Sequence, residues 1–295
     1  MSIFSRKPKA DVKQLASGVS SLVPLPQIYL RIGQMMDNPR TSMAQVGEVL
    51  GHDPALTARL LRFVNSPLYG LRNRVESVPR AITVLGFHEV RLLALASSVG
   101  GGFRKPPADL LDMNAYWSHS VFTAIAARKL GVLCQLREPE RLFVAGLLHD
   151  VGQLVLCHKM PGEMRELNRA LREQGGGDRI RLEREIIGCD HAEVGAELMR
   201  QWQLPESLWV PLLHHHRMAD APNYHQECAV IHLANAIADG VEPIHRPGED
   251  LPQTGPITPE AWLWSALNDS VIDPVTQEAR QQLAELLDII ASTRS

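Results

Sequence analysis

The stretch "GLLHDVGQLVL", Gly146–Leu156, sets His149 beside Asp150 inside an otherwise apolar run. An unpaired carboxylate is costly to bury. The doublet therefore either ligates a metal ion or pairs with neighbours in a core. Adjacent helical residues point about 100° apart, so both side chains reach one ion only if it lies between their directions at a helix end. By spacing alone both readings stay open.

Working outward, the flanking chain carries helix punctuation. Ser42 followed by Gln45 reads as a capping box. Asp53–Pro54, Ser77, Asp190 with Glu193, Thr258–Pro259 and Asp273–Pro274 all read as helix starts. Gly86 reads as a stop. Leu56, Leu60, Leu61 and Val64 fall on one helical face, as do Ala279, Leu283, Leu286, Leu287 and Ile290. No stretch alternates as strands do, so the fold class is all-α. The Gly- and Pro-rich "GGGFRKPPAD" (Gly100–Asp109) reads as a linker between two lobes. "QGGGD" (Gln174–Asp178) reads as a loop and "VEPIHRPGEDLPQTGPITP" (Val241–Pro259) as an irregular excursion. The expected organisation is a tail over 1–21, a helical lobe over 22–103, a second over 104–240, and a loop with terminal helices over 241–295.

Composition narrows the function. The chain has 295 residues, 45% hydrophobic and 21% charged, which suits a folded globular protein. A formal net charge of −3 gives no global attraction to nucleic acid. Arg59, Arg62, Arg72, Arg74, Arg80 and Arg91 are read as a solvated face, so nucleic acid is not an expected partner. Cys134, Cys157, Cys189 and Cys228 are widely spaced and contain no C-x-x-C, which predicts free thiols. The N-terminus lacks a signal-peptide apolar region, and the apolar run at Val84–Val99 is broken by His88, Glu89 and Arg91. No membrane insertion and a cytoplasmic location are expected. Trp202, Trp209, Trp262 and Trp264 are read as closing the core of the second lobe rather than as a partner's anchor.

The histidines divide by context. His52, His88, His158, His225, His232 and His245 are read as fillers. His119 lies in "YWSHSVFTAIAARKL", His191 opens a helix, and His214–His216 end "LPESLWVPLLHHH".

"LHD" after an apolar run, "WSHS" upstream and "HH" downstream resemble the HD superfamily of metal-dependent phosphohydrolases. "LVPLPQIYLRIGQMM", "DPALTARLLRFVNSPLYG", "SVPRAITVLGFHEVRLLALA" and "DHAEVGAELMRQWQLP" sharpen this to the HDOD family, over roughly Leu22–Gly240. The resemblance implies a two-lobed helical fold with an HD-type second lobe, and a bacterial regulatory role. It assigns the metal-site positions to His119, His149, Asp150 and Asn235, with His191, His215 and His216 as further ligands. It assigns Gln153 to a position that contacts ligand phosphate in related enzymes.

Three departures from the catalytic pattern follow. Asn235 stands where an active relative has aspartate, Ala115 where the two-metal branch has glutamate, and Gln153 where that branch has lysine. The glycine–tyrosine–proline signature is missing after the triplet. An amide attracts a dication less than a carboxylate does, and phosphodiester hydrolysis needs strong metal polarisation. The expectation is therefore a degenerate site with no catalytic residues and no required cofactor, retaining at most a residual divalent ion. His149 and Asp150 are expected to bond to His119 and Asn235. The protein is expected to act in trans on a signalling protein partner, with a nucleotide as a further ligand class. The alternative is a metal-dependent phosphohydrolase or cyclic-dinucleotide phosphodiesterase.

Overall fold

The computed structural model describes residues 10–17, 27–38, 40–102, 105–174, 178–241 and 257–291. Among the described residues every regular element is helical. In chain order these are α1 (Val12–Ser17), α2 (Gln27–Met36), α3 (Met43–Gly51), α4 (Pro54–Val64), α5 (Val78–Leu85) and α6 (Phe87–Gly102). There follow α7 (Met113–Leu133), α8 (Pro139–Leu148), α9 (Val151–Lys159), α10 (Pro161–Glu173) and α11 (Arg179–Ile186). The rest are α12 (His191–Gln201), α13 (Glu206–His214), α14 (His225–Val241), α15 (Pro259–Ser265) and α16 (Ile272–Ala291). No helix among the described residues is long and apolar enough to cross a membrane.

The caps follow the local chemistry. Ser42 and Asp190 each close a capping box, with Gln45 and Glu193. Asp53 and Ser77 accept hydrogen bonds from Leu56 and Arg80 N–H groups. Gly86 ends α5 at φ 92°, a backbone conformation that disfavours side chains. Thr258 stands at the N-cap of α15 without a side-chain cap bond. The last helix starts at Ile272 rather than at Asp273–Pro274, because a 3₁₀ turn over Asp269–Val271, capped by Asn268, runs into it.

The chain divides into two compact units, residues 1–21 with 105–279, and residues 22–104 with 280–295. In the smaller unit α2–α6 pack on one another around Tyr29, Ile32, Leu50, Leu60 and Phe63. Two of the arginines read as a solvated face are engaged there. Arg91 stacks on the Tyr29 ring at 4.0 Å and Arg62 pairs with Asp288. In the larger unit α7 packs against α8 and α14, α12 against α9 and α13, and α1 against α12. α7 is buried nearly all round, from Tyr116 to Gly131, so its apolar face extends well beyond Trp117, Val121, Ile125 and Leu130. Each such large side chain contributes about 1.5–3 kcal/mol of burial. Trp202 is buried in this unit, and Trp209 lies under Arg200 at 3.9 Å. Trp262 and Trp264 are half-buried, with Trp264 beside His225. All four cysteines are free thiols. Residues 175–177 of the Gly-rich loop, 103–104 of the linker and 242–256 of the Pro-rich excursion, His245 included, lie outside the described residues.

Candidate metal centre

His149 and Asp150 occupy the break between two helices. α8 ends at Leu148, His149 is its C-cap, and Asp150 precedes α9. At a break, successive side chains can serve one pocket from two directions. Close approach of neighbouring helices fixes that pocket. A Cβ on Gly146 would lie 3.0 Å from backbone atoms of Ala124 and Thr123 in α7, and one on Gly152 would lie 1.9 Å from the His191 carbonyl of α12. Glycine at both positions lets the helices carrying His119 and His191 come up to the doublet.

One end of the pocket is centred on Asn235 of α14. Its Oδ1 lies 2.9 Å from His119 Nε2 and 3.0 Å from His149 Nε2. Its Nδ2 donates to Asp239 Oδ2 at 3.4 Å, which turns the amide oxygen toward the rings. His149 Nδ1 donates to the Gly146 carbonyl at 2.7 Å. Burial holds the His149 pKa below the usual histidine range despite Asp150 beside it, so the ring is neutral. Its Nε2 then carries a lone pair aimed at an oxygen that is itself an acceptor. Two acceptors facing each other are relieved by a cation between them.

The other end is ionic. His191 Nδ1 donates to Glu183 Oε2 at 2.8 Å, and its Nε2 lies 3.0 Å from Asp150 Oδ1. Glu183 also accepts from the His191 backbone N–H and from Arg179. Burial opposes a charge on His191, but Glu183 and then Asp150 outweigh it and raise its pKa to about 10. Burial likewise opposes ionised Glu183, yet His191 and Arg179 bring its pKa down to about 2. Asp150 stays ionised well below its usual range, burial being outweighed by His149 and His191. His191 Nε2 also faces His216 Nε2 at 3.2 Å. Next to it, His215 donates from Nδ1 to the Leu212 carbonyl at 2.6 Å, and its buried Nε2 has no hydrogen-bond partner. Burial, with charged neighbours, holds His215 and His216 well below the usual histidine range, so both are neutral donors for a metal.

These residues fit a divalent ion. Ligand atoms of Asp150, His191, His215 and His216 lie within 4.8 Å of one another, and so do those of His119, His149 and Asp150. Backbone carbonyls or a carboxylate hold Nδ1 of His149, His191 and His215, leaving Nε2 directed inward. That is the arrangement by which a second carboxylate or carbonyl orients a metal-ligating ring. The unpartnered His215 Nε2 is a buried polar atom that a cation would satisfy. The proton held between His191 and Asp150 is the competing occupant, so metal uptake there releases it. Imidazole-rich sets with one carboxylate suit zinc, iron or nickel in the divalent state.

The structure brings together all seven expected ligand positions, His119, His149, Asp150, His191, His215, His216 and Asn235. Two details differ from expectation. Only His149 of the doublet approaches Asn235. Asp150 turns to His191 and Gln153 instead, because the helix break points the two side chains apart. Gln153 is buried and donates to Asp150 Oδ2 at 2.6 Å, so its amide holds the carboxylate rather than facing an outside ligand. Ala115, in the first turn of α7, offers no ligand atom. Three participants escaped the sequence reading. Glu183 sits on a different helix from His191, joined through Gly188 at φ 95°. His232, taken as a filler, donates from Nδ1 to the His215 carbonyl at 2.8 Å. Asp239 lies four residues after Asn235, a spacing that puts both on one helical face.

Comparison with known proteins gives the same family. A protein of Treponema pallidum (strain Nichols) without an assigned role is 23% identical over 209 residues, 70% of this chain and 40% of that protein. The chain thus matches well under half the length of that relative. A candidate phosphohydrolase from Shewanella amazonensis SB2B superposes with TM-score 0.71 at 25% identity, covering 94% of this chain and 98% of the other. An HDOD domain protein of unknown function from Geobacter sulfurreducens superposes with TM-score 0.65 at 23% identity, covering 95% and 96%. A candidate signal transduction protein from Marinobacter aquaeolei VT8 gives TM-score 0.70 at 22% identity, covering 99% of this chain and 63% of that one. The HDOD domain pattern matches residues 22–218, and the chain belongs to the HDOD family.

Proposed function

We propose that this is a regulatory HDOD protein whose HD-type pocket holds a divalent ion as part of the fold, does not hydrolyse phosphodiesters, and signals by binding a protein partner in the cytoplasm. The carrying observation is the burial of most of the ligand set, with His216 alone of intermediate exposure. His119 and His149 are 0% exposed, His191 is 1% and His215 is 0%, while Asp150 is 5%. A hydrolytic metal needs an open position for water and substrate. The position that would need a cation toward a phosphate carries Gln153, whose amide is spent on Asp150. An ion here would bind His191, His215, His216 and Asp150, or His119, His149 and Asp150, and would supply cohesion between α7, α8, α12, α13 and α14. The resemblance to a candidate signal transduction protein supports the regulatory reading.

The second reading is a metal-dependent phosphohydrolase. Asp150 belongs to both ligand groups, as a carboxylate shared by two ions would, and this favours it. Elemental analysis of tag-free protein, together with turnover of a phosphodiester and a cyclic dinucleotide in Mn²⁺, Fe²⁺ and Mg²⁺, separates the readings. Bound metal without turnover is the expected result. Hydrolysis abolished by His149→Ala would reject the non-catalytic proposal.

A further inference from the structure

Asn235 presents a neutral amide at the His119–His149 end of the pocket, where the resemblance implies an aspartate in active relatives. The helix supplies a carboxylate close by. Asp239 follows Asn235 by four residues on α14 and accepts its Nδ2–H at 3.4 Å. The same carboxylate approaches His119 from behind, with Oδ1 3.8 Å from Nδ1, the ring nitrogen turned away from Asn235. One side chain therefore faces the outer atoms of two candidate ligands. Its oxygen fixes which way the Asn235 amide points, and its charge polarises both groups toward the pocket. The arrangement parallels Glu183 behind His191 at the other end, where the carboxylate lies 2.8 Å from Nδ1. The two differ in depth. Glu183 is fully buried, whereas the Asp239 side chain is 32% exposed, so its field is partly screened.

We infer that Asp239 is a positioning residue that supplies to the metal site, through the Asn235 amide and the His119 ring, the negative charge that Asn235 lacks. The inference rests on the pocket holding a divalent ion. Asp239 is not itself a ligand in this arrangement, since the Asn235 oxygen and the His119 ring stand between it and the pocket.

The test is titration of the demetallated full-length protein with Co²⁺, following heat by calorimetry and coordination by visible absorption. Wild type comes first: if it takes up no Co²⁺, the metal reading itself falls, and the role of Asp239 with it. Given uptake, Asp239→Ala and Asp239→Asn are expected to weaken binding by about 10–100-fold, the usual cost of losing the group behind a ligand. Binding at the Asp150–His191–His215–His216 group should be unchanged and serves as the internal reference. The double substitution Asn235→Asp with Asp239→Asn puts the carboxylate back on the ligand position and should restore wild-type affinity or better. A residue with a merely structural role would leave the Co²⁺ affinity of folded Asp239→Ala unchanged. Wild-type Co²⁺ affinity in Asp239→Ala, or failure of the double variant to bind more tightly than Asp239→Asn, overturns the assignment. Thermal melts of each variant without metal confirm that all are folded, as expected for a side chain one-third exposed.

Discussion

At one end of the pocket His191 is pinned between two carboxylates, Glu183 at 2.8 Å and Asp150 at 3.0 Å. At the other end His119 and His149 share the neutral amide oxygen of Asn235, at 2.9 and 3.0 Å. His149 and His191 are equally buried, yet their ionic states differ. Burial disfavours the imidazolium at both ends. It wins at His149, where Asp150 offers a poorly placed contact at 3.5 Å, and loses at His191, where two carboxylates lie within hydrogen-bond distance. The difference teaches that a buried histidine's role follows from the carboxylates standing behind it. The ionic end is satisfied by its own carboxylates, whereas at the Asn235 end the His149 and Asn235 acceptors face each other, as a cation would satisfy.

The largest effect should come from breaking the close approach that builds the ionic end. In Gly152→Ala the added carbon would meet the His191 carbonyl at 1.9 Å and the Gly195 nitrogen at 2.8 Å, both backbone atoms that cannot swing aside. A loss above about 4 kcal/mol is expected, enough to prevent folding or leave only a residual population. Gly51→Ala, with nothing within 4 Å, is the control and should be neutral or slightly stabilising in urea unfolding.

Next comes a direct comparison of the two ends in metal-free protein. His191→Ala removes the charge held between Glu183 and Asp150, leaving them Arg179 and Gln153 as partners, and should cost about 3–5 kcal/mol. His119→Ala removes a hydrogen bond to the uncharged Asn235 amide and should cost less, about 1–3 kcal/mol. Equal losses in chemical denaturation would break the distinction between an ionic and a neutral end.

The smallest effect sharpens the contrast in metal binding. Asn235→Asp makes the neutral end anionic and should tighten divalent-ion binding by about 10-fold, or about 1.4 kcal/mol. Without metal the same variant should melt slightly lower, since the new carboxylate would face Asp239 where the amide now donates to it at 3.4 Å. Calorimetry and thermal melts read the two opposite signs.

How far the sequence reached can be followed residue by residue. Caps at Ser42, Asp53, Ser77 and Asp190 were legible because capping is a matter of three or four consecutive residues. The seven residues that the resemblance offers as candidate ligands have side chains that meet in one pocket. Glu183 was not legible, because its partner His191 lies eight residues on, past the turn at Gly188 and on the next helix, so its placement depends on how the two helices meet. Asp239 could have been read from its i, i+4 spacing to Asn235. Gln153 was read as facing a ligand; it is buried, and its amide donates to Asp150.

By itself the sequence determined the helical class, the helix ends and the chemical identity of the ligand atoms, all consequences of local propensity and side-chain type. Even the Nδ1 anchors of His149 and His215 are local, each bonding a carbonyl three residues back. Only the tertiary structure decided which carboxylates stand behind which rings. That choice depends on how closely α9 and α12 approach at Gly152, and on where α11 sets Glu183. Electrostatic energy in a buried pocket changes steeply over such distances.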